Sequence, residues 1–111
     1  MIIPKRKIKV FISSICGTTV AKRKYNIVRA GLKTLIESTH FAEVYVFEDE
    51  GASTISAGQH YTSELENCDI CIFLIDNKDG ISGGVQKEID TVNKHNIKAL
   101  YYFCDEIILP Y

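Results

Sequence analysis

Apolar residues gather in four short runs, at positions 8–13, 44–47, 70–75 and 99–103. Each run is rich in β-branched and aromatic side chains, which favour a pleated, half-buried surface. The pattern therefore predicts four strands. The third run, Ile70 to Ile75, is apolar without interruption, as expected of a central strand covered on both faces. Between the first two runs Tyr25, Val28, Leu32, Leu35 and Ile36 recur at helical spacing, with Lys22, Arg23, Lys24, Arg29 and Lys33 as the polar face. Between the third and fourth runs Val85, Ile89 and Val92 repeat the pattern behind Ser82, a suitable N-cap. A weaker helical segment at 59–67 carries Tyr61 and Leu65, after a small-residue loop at 51–58.

The order β-α-β-α-β-α-β predicts an α/β fold with parallel strands and helices on both faces. The expected strand order is 2-1-3-4, with the first and third runs side by side at the centre. The apolar tail at 107–111 is a candidate fifth, short edge strand, and its abrupt ending suggests a domain cut from a longer protein. A chain of 111 residues fits one domain covering 1–111. No apolar run approaches the roughly 18 residues of a membrane span. The N-terminal stretch lacks signal-peptide order, so a cytoplasmic location is expected.

Net charge is -1, but unevenly spread. Nine of the 13 Lys and Arg lie between Lys5 and Lys33, and the first acidic residue is Glu37. No aromatic residues are interleaved with the basic cluster as a single-strand binder would use them, so a nucleic-acid partner is not expected. Opposite fields on one chain favour self-association instead, against the plainer reading of a solvated helix face. Cys68 and Cys71 form a C-x-x-C, yet no second ligand pair has matching spacing. An odd separation along a strand points two side chains to opposite faces, so reduced cysteines acting as small hydrophobes are expected.

In a parallel sheet, ligands bind beyond the carboxyl ends of the strands. This selects Ser13, Ser14 and Gly17 after the first strand, Glu48 and Asp49 after the second, and Asp76, Asn77, Asp79 and Gly80 after the third. No G-x-G-x-x-G, Walker loop or G-x-S-x-G elbow is present, and His40, His60 and His95 have no ligand spacing. The informative stretch is the glycine-rich loop at 79–84 and the helix it opens. Glu88 falls beside the Val85–Ile89–Val92 stripe, where it can point along the helix edge toward the strand-end rim. Gly83 and Gly84 leave the space above it open. The plainer alternative is a boundary glutamate paired with a nearby Lys.

Three stretches resemble one family. Residues 8–14 (IKVFISS) look like the opening strand of TIR-like domains, especially those at the N-terminus of bacterial STAND-type ATPases. Residues 66–73 (ENCDICIF) resemble the acidic-then-apolar third strand of that family. Residues 84–89 (GVQKEI) with 96–99 (NIKA) are similar to the helix that bears the catalytic glutamate in NAD-cleaving TIR domains and, in parallel form, in nucleoside deoxyribosyltransferases. The likeness spans about residues 8–104. It departs at Gly84, where many TIR domains carry an aromatic residue, and at the family's final strand and helix, which are missing or much reduced here.

The resemblance implies a flavodoxin-like/TIR-like three-layer sandwich with four to five strands. It also implies an N-glycosidase cleaving the nicotinamide–ribose bond of NAD in bacterial immune or antiphage signalling. NAD would be the substrate, with no cofactor and no metal required. Glu88 would be the catalytic carboxylate. Ser13 and Ser14 would line the mouth, Ser82 would cap the helix and bond to a ribose hydroxyl, and Glu48 and Asp76 would be further rim residues. The alternative is a non-catalytic self-association, adaptor or nucleotide-sensing module, which the two departures favour.

Overall fold

The computed structural model describes residues 6–15, 19–46, 63–78 and 80–105. Four strands form one parallel sheet: β1 (Ile8–Ser14), β2 (Ala42–Val46), β3 (Ile70–Asp76) and β4 (Lys98–Cys104). Their order is β2-β1-β3-β4, as the spacing of the runs predicts. Helix α1 (Val20–Glu37) covers one face, and α2 (Gly83–Lys94) covers the other together with a helical turn at residues 63–66. The chain thus forms a three-layer, flavodoxin-like α/β/α sandwich. The fifth strand expected at 107–111 lies outside the described residues, as do Tyr61 and Phe47.

Side chains alternate across β1. Val10 and Ile12 join Val44, Leu74 and Tyr25 under α1, while Phe11 joins Cys71, Phe73, Ile75, Val85 and Val92 under α2. Cross-strand aromatic pairs reinforce the register: Phe11 stacks on Tyr45 with centroids 5.3 Å apart, and Phe73 on Tyr101 at 5.1 Å. Asp69, just before β3, serves the fold at the far end of the sheet from the rim. Its carboxylate accepts from the Lys9 N–H at 2.8 Å and from Arg6, which holds its pKa below the ordinary value. Its own N–H donates to the Lys9 carbonyl at 2.8 Å, so β3 enters the sheet beside β1.

Three expectations are corrected. Cys68 and Cys71 do not face opposite sides. Cys68 precedes β3, where strand alternation does not apply, and both thiols lie in the α2-side core. Burial pushes the Cys68 thiol up to about 11 and Cys71 higher still, so both remain protonated small hydrophobes. On α1, Leu35 is exposed while Arg29, assigned to the polar face, is buried. On α2 the buried stripe runs through Val85, Glu88 and Val92, with Ile89 only partly covered. Spacings of three and four residues define one face whichever member carries charge.

The end of α2 shows why the chain turns where it does. Asn96 adopts φ 55°, and the Ile97 N–H donates to the Val92 carbonyl at 2.9 Å. This is a Schellman-type stop with Asn in the left-handed position, and it delivers Ile97 to the core beside Val92.

Truncating Phe11, fully buried between β2 and α2, should cost about 3–5 kcal/mol in urea denaturation. Phe103→Ala, at a side chain 68% exposed, should stay within about 0.5 kcal/mol.

Candidate functional site

The carboxyl ends of β1 and β3 lie side by side, because Ser14 is in register with Leu74 two residues before β3 ends. After β3 the Gly80 N–H donates back to the Asp76 carbonyl at 2.9 Å, with Gly80 at φ 74°, a conformation that glycine adopts without strain. The turn leads to Ser82, whose hydroxyl accepts from the Val85 N–H at 3.3 Å and starts α2. The same strand end that carries Asp76 therefore launches the helix that carries Glu88. Gly83 and Gly84 open that helix, and a Cβ at either would meet nothing within 4 Å.

Helical side chains lean toward the N-terminus of their helix, so Glu88 lies over the turn at Gly84 and toward the rim. Ser13, the α2-facing residue at the end of β1, lies close enough to act on its carboxyl. Only 8% of Glu88 and 3% of Ser13 is exposed. Their contact falls short of a well-formed hydrogen bond: Glu88 Oε2 and Ser13 Oγ have no partner among the described residues. Burial pushes the Glu88 carboxyl up to about 7, against the opposing pull of Ser13 and of the Arg29 charge. The nearby cation is thus an arginine from the opposite layer rather than a surface lysine, and the two form no ion pair.

On the α1 side, Ser14 Oγ and the Ile15 carbonyl accept from Arg29 Nη1, the latter at 3.3 Å, and Asn26 Oδ1 accepts from Arg29 Nη2. One turn earlier the Tyr25 hydroxyl donates to Asp76 Oδ2 at 2.7 Å, and Asp76 Oδ1 accepts from the Lys78 N–H at 2.8 Å. Burial and the Asp76 carboxylate push the Tyr25 phenol well above its ordinary range, so it remains a donor. Asn77 ties the ends of β3 and β4 together through the Cys104 carbonyl at 2.9 Å and the Asp105 carboxylate at 2.8 Å.

The structure thus brings Ser13 to Glu88, Ser14 to Arg29 and Asp76 to Tyr25. Ser82 stands about 9 Å before Glu88 along the helix axis and is engaged in its cap. Glu48, Gly17, Asp49 and Asp79 lie outside the described residues. Sequence reasoning missed Arg29 and Tyr25 as rim residues. The signal was present: the two are four apart on the inward arc of α1, but a charge on that arc reads as solvent-facing.

A separate cavity of about 320 Å³ beside the N-terminal half of β1 is lined by Lys9, Glu37, Glu43, Tyr45 and Glu64 among others, and contains none of the rim residues. Among the described residues no group of three or more His, Cys, Asp and Glu is placed to hold a metal ion. No described helix is long and apolar enough to cross a membrane.

The fold and the rim define a class: a parallel α/β domain with a buried acidic side chain at the carboxyl end of its sheet. A scan against protein-family models finds no match for the chain, and no curated protein matches it.

Glu88 makes stability depend on pH. Its carboxyl binds a proton more tightly when folded, at about 7, than at the ordinary 4.5. Its contribution is therefore fully present below pH 4.5, is lost as pH rises toward 7, and stays lost above that. At 1.36 kcal/mol per pH unit the loss is about 3 kcal/mol. Glu88→Gln should match the wild type near pH 4 and exceed its stability by up to that amount at pH 8. Urea denaturation at both pH values reads the difference.

Proposed function

We propose that the chain is an N-glycosidase acting on the nicotinamide–ribose bond of NAD. The observation that carries the reading is a buried glutamate, one of whose carboxylate oxygens has no partner among the described residues, on a helix that opens at the strand-end rim. Native structures leave few buried polar atoms unpaired, and such an atom calls for an explanation. A carboxylate costly to the fold and displaced in its titration is a mark of a functional site. The resemblance of residues 84–89 to the glutamate helix of NAD-cleaving TIR domains supports the same assignment, as does a role in immune or antiphage signalling for that family.

The chemistry suits one carboxylate. When the C1′–N bond breaks, its electron pair leaves with nicotinamide, which departs neutral and needs no proton from the protein. Positive charge develops on the ribose, and Glu88 in a poorly solvated site stabilises it. Water adds to C1′ and releases a proton, giving ADP-ribose. Ser13 flanks the approach, Ser14 holds Arg29 on the other side of the strand, the Ser82 hydroxyl faces a ribose hydroxyl, and Asp76, held by Tyr25, shapes the far side of the mouth. Glu88 acts only when ionised, so kcat/KM should rise through about pH 7 and level off above it.

Nicotinamide release by purified protein tests the proposal across a concentration series. Glu88→Gln and Glu88→Ala should each lower the rate by at least about a hundredfold. Gln keeps the volume and loses the charge, so its failure separates electrostatics from packing. Wild-type protein without turnover at any concentration overturns the enzyme reading, and full activity in both variants removes Glu88 from the mechanism.

A second reading, a self-association module, rests on β4. Among the described strands β4 lies at one edge, and it exposes Leu100, Tyr101, Tyr102 and Phe103. At the opposite edge, by contrast, Glu37 Oε2 accepts from the Val44 N–H of β2 at 3.1 Å. Unprotected apolar edges template pairing with another chain. Sedimentation at low salt should then show an assembled species that Phe103→Lys abolishes. If the separated charges drive encounter, raising the salt should weaken it.

A further inference from the structure

The chemistry above uses Glu88 and leaves Arg29 without a role. A guanidinium is almost never sealed inside a protein unless something pairs it. Arg29 is 1% exposed and has no ion-pair partner among the described residues. Its two terminal nitrogens are committed to Ser14 Oγ, the Ile15 carbonyl and Asn26 Oδ1, and its Nε has no acceptor among those residues. Among the described residues the other buried side-chain nitrogen and oxygen atoms without a hydrogen-bond partner are Ser13 Oγ and Glu88 Oε2. Ser13 and Ser14 are consecutive in β1 and face opposite layers, Ser13 toward Glu88 and Ser14 toward Arg29. The unpartnered atoms and the two unpaired charges therefore gather around the last residues of one strand.

We propose that Arg29 is the positioning residue for Glu88: clamped at the end of β1 by Ser14, Ile15 and Asn26, it sets a fixed positive charge behind Ser13 that favours the carboxylate over the neutral acid. An arginine suits this because its guanidinium keeps its charge in an apolar setting and its planar fork is immobilised by the bonds it makes. The distance between the charges also matters. A contact ion pair would occupy the carboxylate oxygens, whereas a cation held one strand away favours the charged form and leaves Oε2 to a ligand. Ser13 from β1 stands beside Glu88, and the Arg29 charge acts on it from α1 in the opposite layer, opposing the upward pull of burial. On β3, Asp76 is taken up by Tyr25 and the Lys78 N–H.

The role rests on Glu88 being the functional carboxylate, but its test requires no turnover. The probe is the Glu88 side-chain carboxyl resonance in 13C-glutamate-labelled protein, assigned by its loss in Glu88→Gln and followed from pH 4 to pH 9. Arg29→Gln and Arg29→Met should each raise the Glu88 midpoint by about one pH unit, a tenfold change in ionisation. Arg29→Lys, which keeps the charge, should leave it close to the wild-type value. A midpoint unmoved in a folded neutral variant overturns the proposal. If neither neutral variant folds, Ser14→Ala decides. It releases one bond on the guanidinium and should raise the midpoint by a smaller amount, and no movement there overturns the proposal as well. A shifted midpoint in protein that never releases nicotinamide would refute the glycosidase and leave the role of Arg29 standing.

Discussion

The end of β1 is the point on which both layers of the molecule converge. Ser13 turns toward α2 and Ser14 toward α1, and each meets a side chain that a protein interior normally rejects. Arg29 is accommodated because the backbone carbonyl and hydroxyl at the strand end, together with Asn26, accept its protons. Glu88 is accommodated less completely, with one oxygen lacking a partner among the described residues. Strand alternation makes this possible: two consecutive serines address two opposite layers from a single strand end.

The arrangement places a cost to stability at a definite point in the fold. A polar cluster with every member satisfied rigidifies a core, whereas one with open valences carries a desolvation cost. Here the open valences face the rim, where parallel α/β sheets bind ligands. The rest of the sheet is conventional by comparison. Its central strand is apolar on both faces, its aromatic pairs stack across neighbouring strands, and its entry point is held by Asp69. That ordinary scaffold holds the irregular strand end in place. Tyr25 and Asp76 are satisfied by each other, which leaves Glu88 Oε2 and Ser13 Oγ without a partner among the described residues.

Much of this was legible in the chain. The apolar runs, their spacing and the uninterrupted third run led to the sheet and its order, because burial on two faces leaves a compositional trace. Ser82 as a cap and Glu88 beside an apolar stripe followed from helical phase. The depth of Glu88 did not. Phase placed it at the edge of the stripe, whereas α2 lies with Val85, Glu88 and Val92 inward, so the glutamate shares the buried face. The error over the C-x-x-C had a related origin. Alternation was applied to a cysteine that precedes the strand, and the chain bends between the two.

What the sequence by itself determined is the layered α/β scaffold, since hydrophobic periodicity is set by local geometry and must match the faces that bury it. It also determined that Ser13, Ser14 and Asp76 would stand at the carboxyl ends of β1 and β3. Only the tertiary structure decided which of those residues meet and how dry their meeting place is. Arg29 shows the reason. In the chain it shares the arc of Tyr25, four residues earlier, yet its charge makes it read as one more cation among Lys22, Arg23, Lys24 and Lys33. Its distinction comes from acceptors at the end of β1, fourteen and fifteen residues away along the chain, brought together by packing that involves the whole sheet.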